Sequence, residues 1–242
     1  MKAKSRDINI FMVGVITAVI FIIQYVFSFI GGHISGLFDY SVIDSDDLFM
    51  RISVHHIVQM LCAVMLIIIL NRSCKIKGFK LQPEFDAKGL KYTVIFCSVI
   101  AVYYLTIYII GSITDTINVY DYELNKINIT GHLAFQLLIS GPSEEILFRA
   151  LPIAVYIHFL RSDSKKNRVI AVVLSALLFA AAHINFRELT VSWFQVCYAF
   201  ALGLAYGFVL VRSKSVVYPM IMHSVSNVVS VGGCYLYMLY FM

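Results

Sequence analysis

Long apolar runs alternate with short polar connections along the whole chain. Seven runs stand out, at roughly 8–30, 53–70, 92–113, 132–160, 169–184, 191–211 and 216–242. A helix needs about 20 predominantly apolar residues to cross a bilayer, and repeated runs of this order predict transmembrane helices. The pattern therefore predicts an all-α, polytopic membrane helix bundle of about seven segments. No internal repeat and no low-complexity tract interrupts it.

Composition agrees with the pattern. Of the 242 residues 60% are hydrophobic and 14% charged, with a mean hydropathy of +0.83, whereas a soluble domain is nearer a quarter charged. The length allows one compact bundle, so residues 1–242 are expected to form a single membrane domain. The first run follows a basic flank, exceeds a signal-peptide core and lacks an A-x-A site, so it reads as a retained transmembrane helix. Cys62, Cys74, Cys97, Cys197 and Cys234 show no CxxC spacing, and they read as small buried apolar residues.

The formal charge of +5 matters less than its distribution, and it predicts a lipid bilayer as partner, not nucleic acid. Fifteen of the nineteen basic residues fall in the N-terminus (Lys2, Lys4, Arg6), the 71–91 connection, the 161–168 connection, and Arg212 with Lys214. The alternate connections hold only Arg51, Lys126 and Arg187. Basic loops stay cytoplasmic, so the N-terminus is expected inside and, after seven crossings, the C-terminus outside. Gly78, Pro83 and Gly89 predict that the 71–91 connection turns. Its "FKLQPEF" stretch reads either as a segment lying on the inner surface or as a solvated connector.

Ionisable groups inside a bilayer point to function. The fourth run holds Glu144, Glu145 and Arg149, the fifth ends near His183, and the seventh holds His223 and Asn227. Glu145 and Arg149 are four apart, share a helix face and can pair. Glu144 lies about 100° around the same helix and is less well paired. Gly141-Pro142 suggests a break just before it, with Ser143 helping to start the next helical piece. Helix rise puts Glu144 roughly 18 Å below the outer start of its run and His223 at a similar level. His183 comes out nearer the outer surface by about 9 Å. His55, His56, His33, His132 and His158 read as interface or loop residues.

"EEILFR" (Glu144, Glu145, Arg149), "FAAAH" (Phe179, His183) and "HSVSN" (His223, Asn227) resemble the motifs EExxxR, FxxxH and HxxxN. In this order, on three separate segments, they resemble the CPBP (CAAX protease and bacteriocin-processing, or Abi) family, whose eukaryotic relative is the CAAX prenyl endopeptidase. The resemblance covers residues 130–232 and leaves 1–113 as N-terminal transmembrane helices without a motif. One departure is Ala150, where the family often has glycine.

The resemblance implies an intramembrane endopeptidase of a plasma membrane, expected to be bacterial. It implies a membrane-associated protein or peptide substrate, such as a pheromone, a bacteriocin precursor or a CAAX-like chain. Carried over by position, Glu144 and His183 activate water, His223 and Asn227 stabilise the oxyanion, and Glu145 with Arg149 gives structural support. A carboxylate withdrawn from water is a stronger proton acceptor near neutrality, which suits Glu144. No cofactor is favoured. The alternative is zinc held by Glu144, His183 and His223, although no HExxH motif is present. A different class of function also fits the resemblance, namely a non-catalytic membrane protein of bacteriocin self-immunity or sensor-kinase binding.

Overall fold

The computed structural model describes residues 10–114, 116–186, 188, 190–213 and 215–241. Lys2, Lys4, Arg6, Arg187 and Lys214, which entered the charge sorting, lie outside the described residues. Every regular element among the described residues is helical; the one strand-like contact is an isolated bridge between Asn185 and Thr190. Helices α1 (Ile10–Ser35), α2 (Met50–Ser73) and α3 (Ala87–Thr114) are followed by a composite fourth segment. That segment runs through α4 (Lys126–Phe135), a π turn (Gln136–Ser140), α5 (Gly141–Glu145), a second π turn (Ile146–Ala150) and α6 (Leu151–Phe159). Then come α7 (Lys165–Ala181), α8 (Trp193–Arg212) and α9 (Val217–Phe241). Seven helical segments thus correspond to the seven apolar runs.

Among the described residues α1, α2, α3 and α8 are long and apolar enough to cross a membrane. The other three segments carry the polar residues or the π turns. Together these helices make a multi-pass membrane protein.

Short polar residues start the helices. Asn125, Ser164 and Ser192 cap α4, α7 and α8 by accepting from the backbone N–H of Asn128, Asn167 and Gln195. Asp44 is buried because its carboxylate accepts from Leu48, Phe49 and Met50 N–H at the start of α2, over 2.6–2.8 Å. Connections at one end of the bundle bond to each other. Asn128 of α4 donates to Asp46 of the α1–α2 connection at 2.6 Å. At the opposite end, Lys80 donates to the carbonyls of Leu210 and Ser213 at 2.8 and 3.0 Å. The chain therefore alternates between two ends, as the charge sorting requires.

The 71–91 connection is neither a flat surface segment nor a free solvated loop. Ile76 and Phe79 are buried, and Lys80 O accepts from Val216 N–H at 2.9 Å. The Lys80 ammonium closes the C-terminal end of α8, where the last helical carbonyls lack partners. Its burial holds it below the usual lysine range. The cysteines also depart from expectation: Cys234 is buried, but Cys74 and Cys197 are exposed.

The core forms where the composite segment meets α1, α2, α7 and α8, around Leu147, Leu151, Tyr156 and Ala171. Gly141 lets α5 press directly on α9. A Cβ there would come within 2.9 Å of both Met220 O and Ser224 N.

Replacing Lys80 with methionine keeps the length of the side chain and removes both hydrogen bonds. We expect a loss of about 1–3 kcal/mol, the cost of carbonyls left unpaired, read as a lower unfolding midpoint in detergent. An unchanged midpoint would show that the loop does not brace α8.

Candidate active site

The polar residues of the fourth segment sit on α5 and the π turn that follows it. The expected helix break at Gly141-Pro142 does not occur: Ser140 and Gly141 keep right-handed helical dihedrals, and Pro142 lies in the first turn of α5. The missing proline N–H is accommodated between two π turns, which each insert one extra residue into the ladder. Ser143 does not cap α5; its hydroxyl donates to Ser140 O at 2.9 Å.

The second π turn takes support from outside its own ladder. Gln24 of α1 donates to Leu147 O at 3.0 Å, and the Ser175 hydroxyl of α7 donates to Phe148 O. These contacts fix the segment that carries Arg149.

Glu145 and Arg149 have no solvent exposure, and Arg149 Nη1 stands 3.3 Å from Glu145 Oε1. The guanidinium carbon lies 3.9 Å from the centroid of the Phe179 ring and 5.2 Å from that of Tyr206. A buried charge needs both a partner and polar neighbours to be tolerated, and aromatic faces supply part of that environment. Gly203 leaves the room: a Cβ there would approach Arg149 Nη2 to 3.4 Å.

His223 of α9 meets both carboxylates. Its Nδ1 is 2.8 Å from Glu145 Oε1, and its Nε2 is 3.6 Å from Glu144 Oε2. The two adjacent glutamates thus converge on one imidazole, although ideal spacing separates them by about 100°. His223 stacks on Tyr206, with centroids 5.0 Å apart. Asn227, one turn later, donates from Nδ2 to Ser140 Oγ at 3.0 Å.

His183 lies in the turn just beyond α7. Its Nδ1 is 2.8 Å from Phe179 O. A carbonyl only accepts, so Nδ1 carries the proton and, in the neutral ring, Nε2 keeps its lone pair. The Phe179 ring packs edge-on against both His183 and His223, at 4.7 and 5.8 Å between centroids. Glu144 and His183 line one cavity of about 720 Å³. His183, His223 and Asn227 line a second, smaller cavity of about 270 Å³.

His56 of α2 corrects the sequence reading, which assigned it to the interface. It is buried, with Nδ1 2.9 Å from Ser143 Oγ and 3.8 Å from Glu144 Oε1. Ser143 spends its own proton on Ser140 O, so His56 Nδ1–H is the donor to Ser143 Oγ. His55 is half-buried and lines the larger cavity. His33 and His158 are exposed, as expected. His132 is half-buried and bonds to Tyr235 at 2.7 Å, joining a cluster with Tyr122. The signals missed were positional: His56 belongs to no motif, and its partners are 87 and 88 residues away in the chain.

Among the described residues no three His, Cys, Asp or Glu side chains are spaced to ligate one ion.

The family model of the type II CAAX prenyl endopeptidase Rce1-like proteins matches residues 126–229. No curated protein and no solved structure matches the chain significantly. The matched stretch spans α4 to the part of α9 that carries His223 and Asn227, and it contains all three motifs. The paired glutamates, the arginine, the two histidines and the asparagine come from three segments of the bundle, and all of them lie within the stretch, residues 126–229, that matches the Rce1-like CAAX protease domain of the CPBP family.

Proposed function

We propose that this protein is an intramembrane endopeptidase in which Glu144 and His183 activate a water molecule. The observation that carries the proposal is the division of labour between the glutamates. Glu145 is fully buried against Arg149 and His223, whereas Glu144 keeps 19% of its side chain exposed and borders a cavity.

Water between Glu144 and His183 would give a proton to the Glu144 carboxylate as its oxygen attacks the scissile carbonyl carbon. The lone pair on His183 Nε2 orients that water. The C–N bond then breaks, and Glu144 returns the proton to the leaving amine. Oxyanion stabilisation falls to His223 Nε2–H and to the second N–H of Asn227, whose first is held by Ser140. His223 donates there only when both ring nitrogens carry protons, because its Nδ1–H is already given to the Glu145 carboxylate. Fixed donors in a water-poor cavity are worth more than in bulk water. Glu145 and Arg149 hold this frame. His56 acts through Ser143 and Glu144 as a positioning residue.

The substrate class we propose is a membrane-associated protein or peptide, with a pheromone, bacteriocin or CAAX-like chain as the expected kinds, in a bacterial plasma membrane. The rival is a non-catalytic partner in bacteriocin immunity or sensor-kinase binding, in which the same polar residues only shape the bundle.

For purified protein, Glu144→Gln is expected to fold and to lose about 10²–10⁴-fold in cleavage rate, the usual contribution of a general base. Chelators should leave the rate unchanged. A Glu144→Gln variant with undiminished cleavage, or with full cellular function, would favour the non-catalytic partner. Glu145→Gln should behave differently, with a destabilisation of about 3–5 kcal/mol from the charge left unpaired on Arg149, measured by denaturation in detergent. His56→Ala should lower kcat with KM unchanged, and His56→Asn, which retains an N–H donor, should recover part of the loss. An equal deficit in the two variants would mean that His56 is needed for packing alone.

A further inference from the structure

The larger cavity has a direction. Its inner wall is Glu144, Gln24, Gln59 and Phe148, and its outer rim is Asp47, Arg51, Asn185 and Phe186. Asp47 and Arg51 stand at the start of α2, and Asn185 and Phe186 follow α7. Both places belong to the same end of the bundle, the end at which Asn128 bonds to Asp46. The cavity reaches the surface there, since the Asp47 and Arg51 side chains are about half exposed.

The charges identify that end. Among the described residues it carries two basic side chains, Arg51 and Lys126. The opposite end carries six in residues 72–91, four in 161–168, and Arg212. Short loops rich in lysine and arginine are retained in the cytoplasm. The rim of the cavity is therefore on the far side of the membrane from the cytoplasm.

We propose that the site takes its substrate from the non-cytoplasmic face, as a peptide segment that enters past Asp47, Arg51 and Asn185 and descends to Glu144. This rests on the endopeptidase reading. The cavity wall favours a segment with apolar side chains, because Phe21, Phe29, Phe148, Leu178 and Phe179 face it. A volume of about 720 Å³ is within the range of clefts that enclose most of a ligand's surface. Gln24 and Gln59 add amide groups to the deep wall, where a peptide backbone requires hydrogen-bond partners. The proposal separates this chain from any protease that receives a finished chain from the cytosol: the segment to be cut must first be exported or lie in the outer half of the bilayer.

Two measurements on sealed membrane vesicles test it. A membrane-impermeant maleimide should label Ser45→Cys, in the α1–α2 connection, in right-side-out vesicles. Cys74, exposed at the opposite end, should be labelled only in inside-out vesicles; each is assayed as the single cysteine. The reverse labelling would overturn the proposal, whatever the catalytic activity. The second measurement uses the chain without substitution and a quenched fluorescent peptide with an apolar centre and lysines at both ends, which does not cross a bilayer. Right-side-out vesicles should cleave it and inside-out vesicles should not. Cleavage by inside-out vesicles alone would overturn the sidedness and leave the endopeptidase reading standing. Cleavage by neither orientation, nor by vesicles opened with detergent, would overturn both.

Discussion

A full ion pair in a membrane bundle is tolerable only if every neighbour helps to hold it, and much of this structure serves that need. Glu145 and Arg149 lose all contact with solvent. Phe179 and Tyr206 cover the guanidinium, His223 bonds the carboxylate, and Gly203 gives up its side chain to make space. Those residues come from α7, α8 and α9, so the pair joins four segments of the bundle. Removing one partner would strand the other charge where water cannot reach it.

The two π turns flank the part of the segment that carries both glutamates. They shift the ladder on both sides of α5, so that Glu144 and Glu145 address the same histidine from neighbouring positions. One carboxylate is spent on holding the site, and the other borders a cavity. Gln24 and Ser175 satisfy carbonyls of the second π turn, which ties the N-terminal helices to a segment matched to the protease family. His56 makes the same connection through Ser143. The helices without a motif are therefore part of the site's construction.

Much of this was legible in the sequence, for a physical reason. Charged residues in apolar runs are conspicuous, and helical spacing alone pairs Glu145 with Arg149. Loop charges predicted the alternation of ends. The π turns were not legible, because a pattern of residue types carries no sign of one extra residue in a hydrogen-bond ladder. Helix rise left Glu144 and His183 at different depths, and it carries no sign that both border one cavity. His56, Ser140 and Phe179 act through contacts between distant segments, and no local period encodes those.

Glu145 and His223 form the hydrogen-bonded unit on which the rest of the site is built. A double-mutant cycle with Glu145→Gln and His223→Gln, read as unfolding free energy in detergent, tests it most directly. A coupling of about 0.5–3 kcal/mol is expected, the range for residues in one buried network. Losses that simply add, to within about 0.3–0.5 kcal/mol, would contradict it.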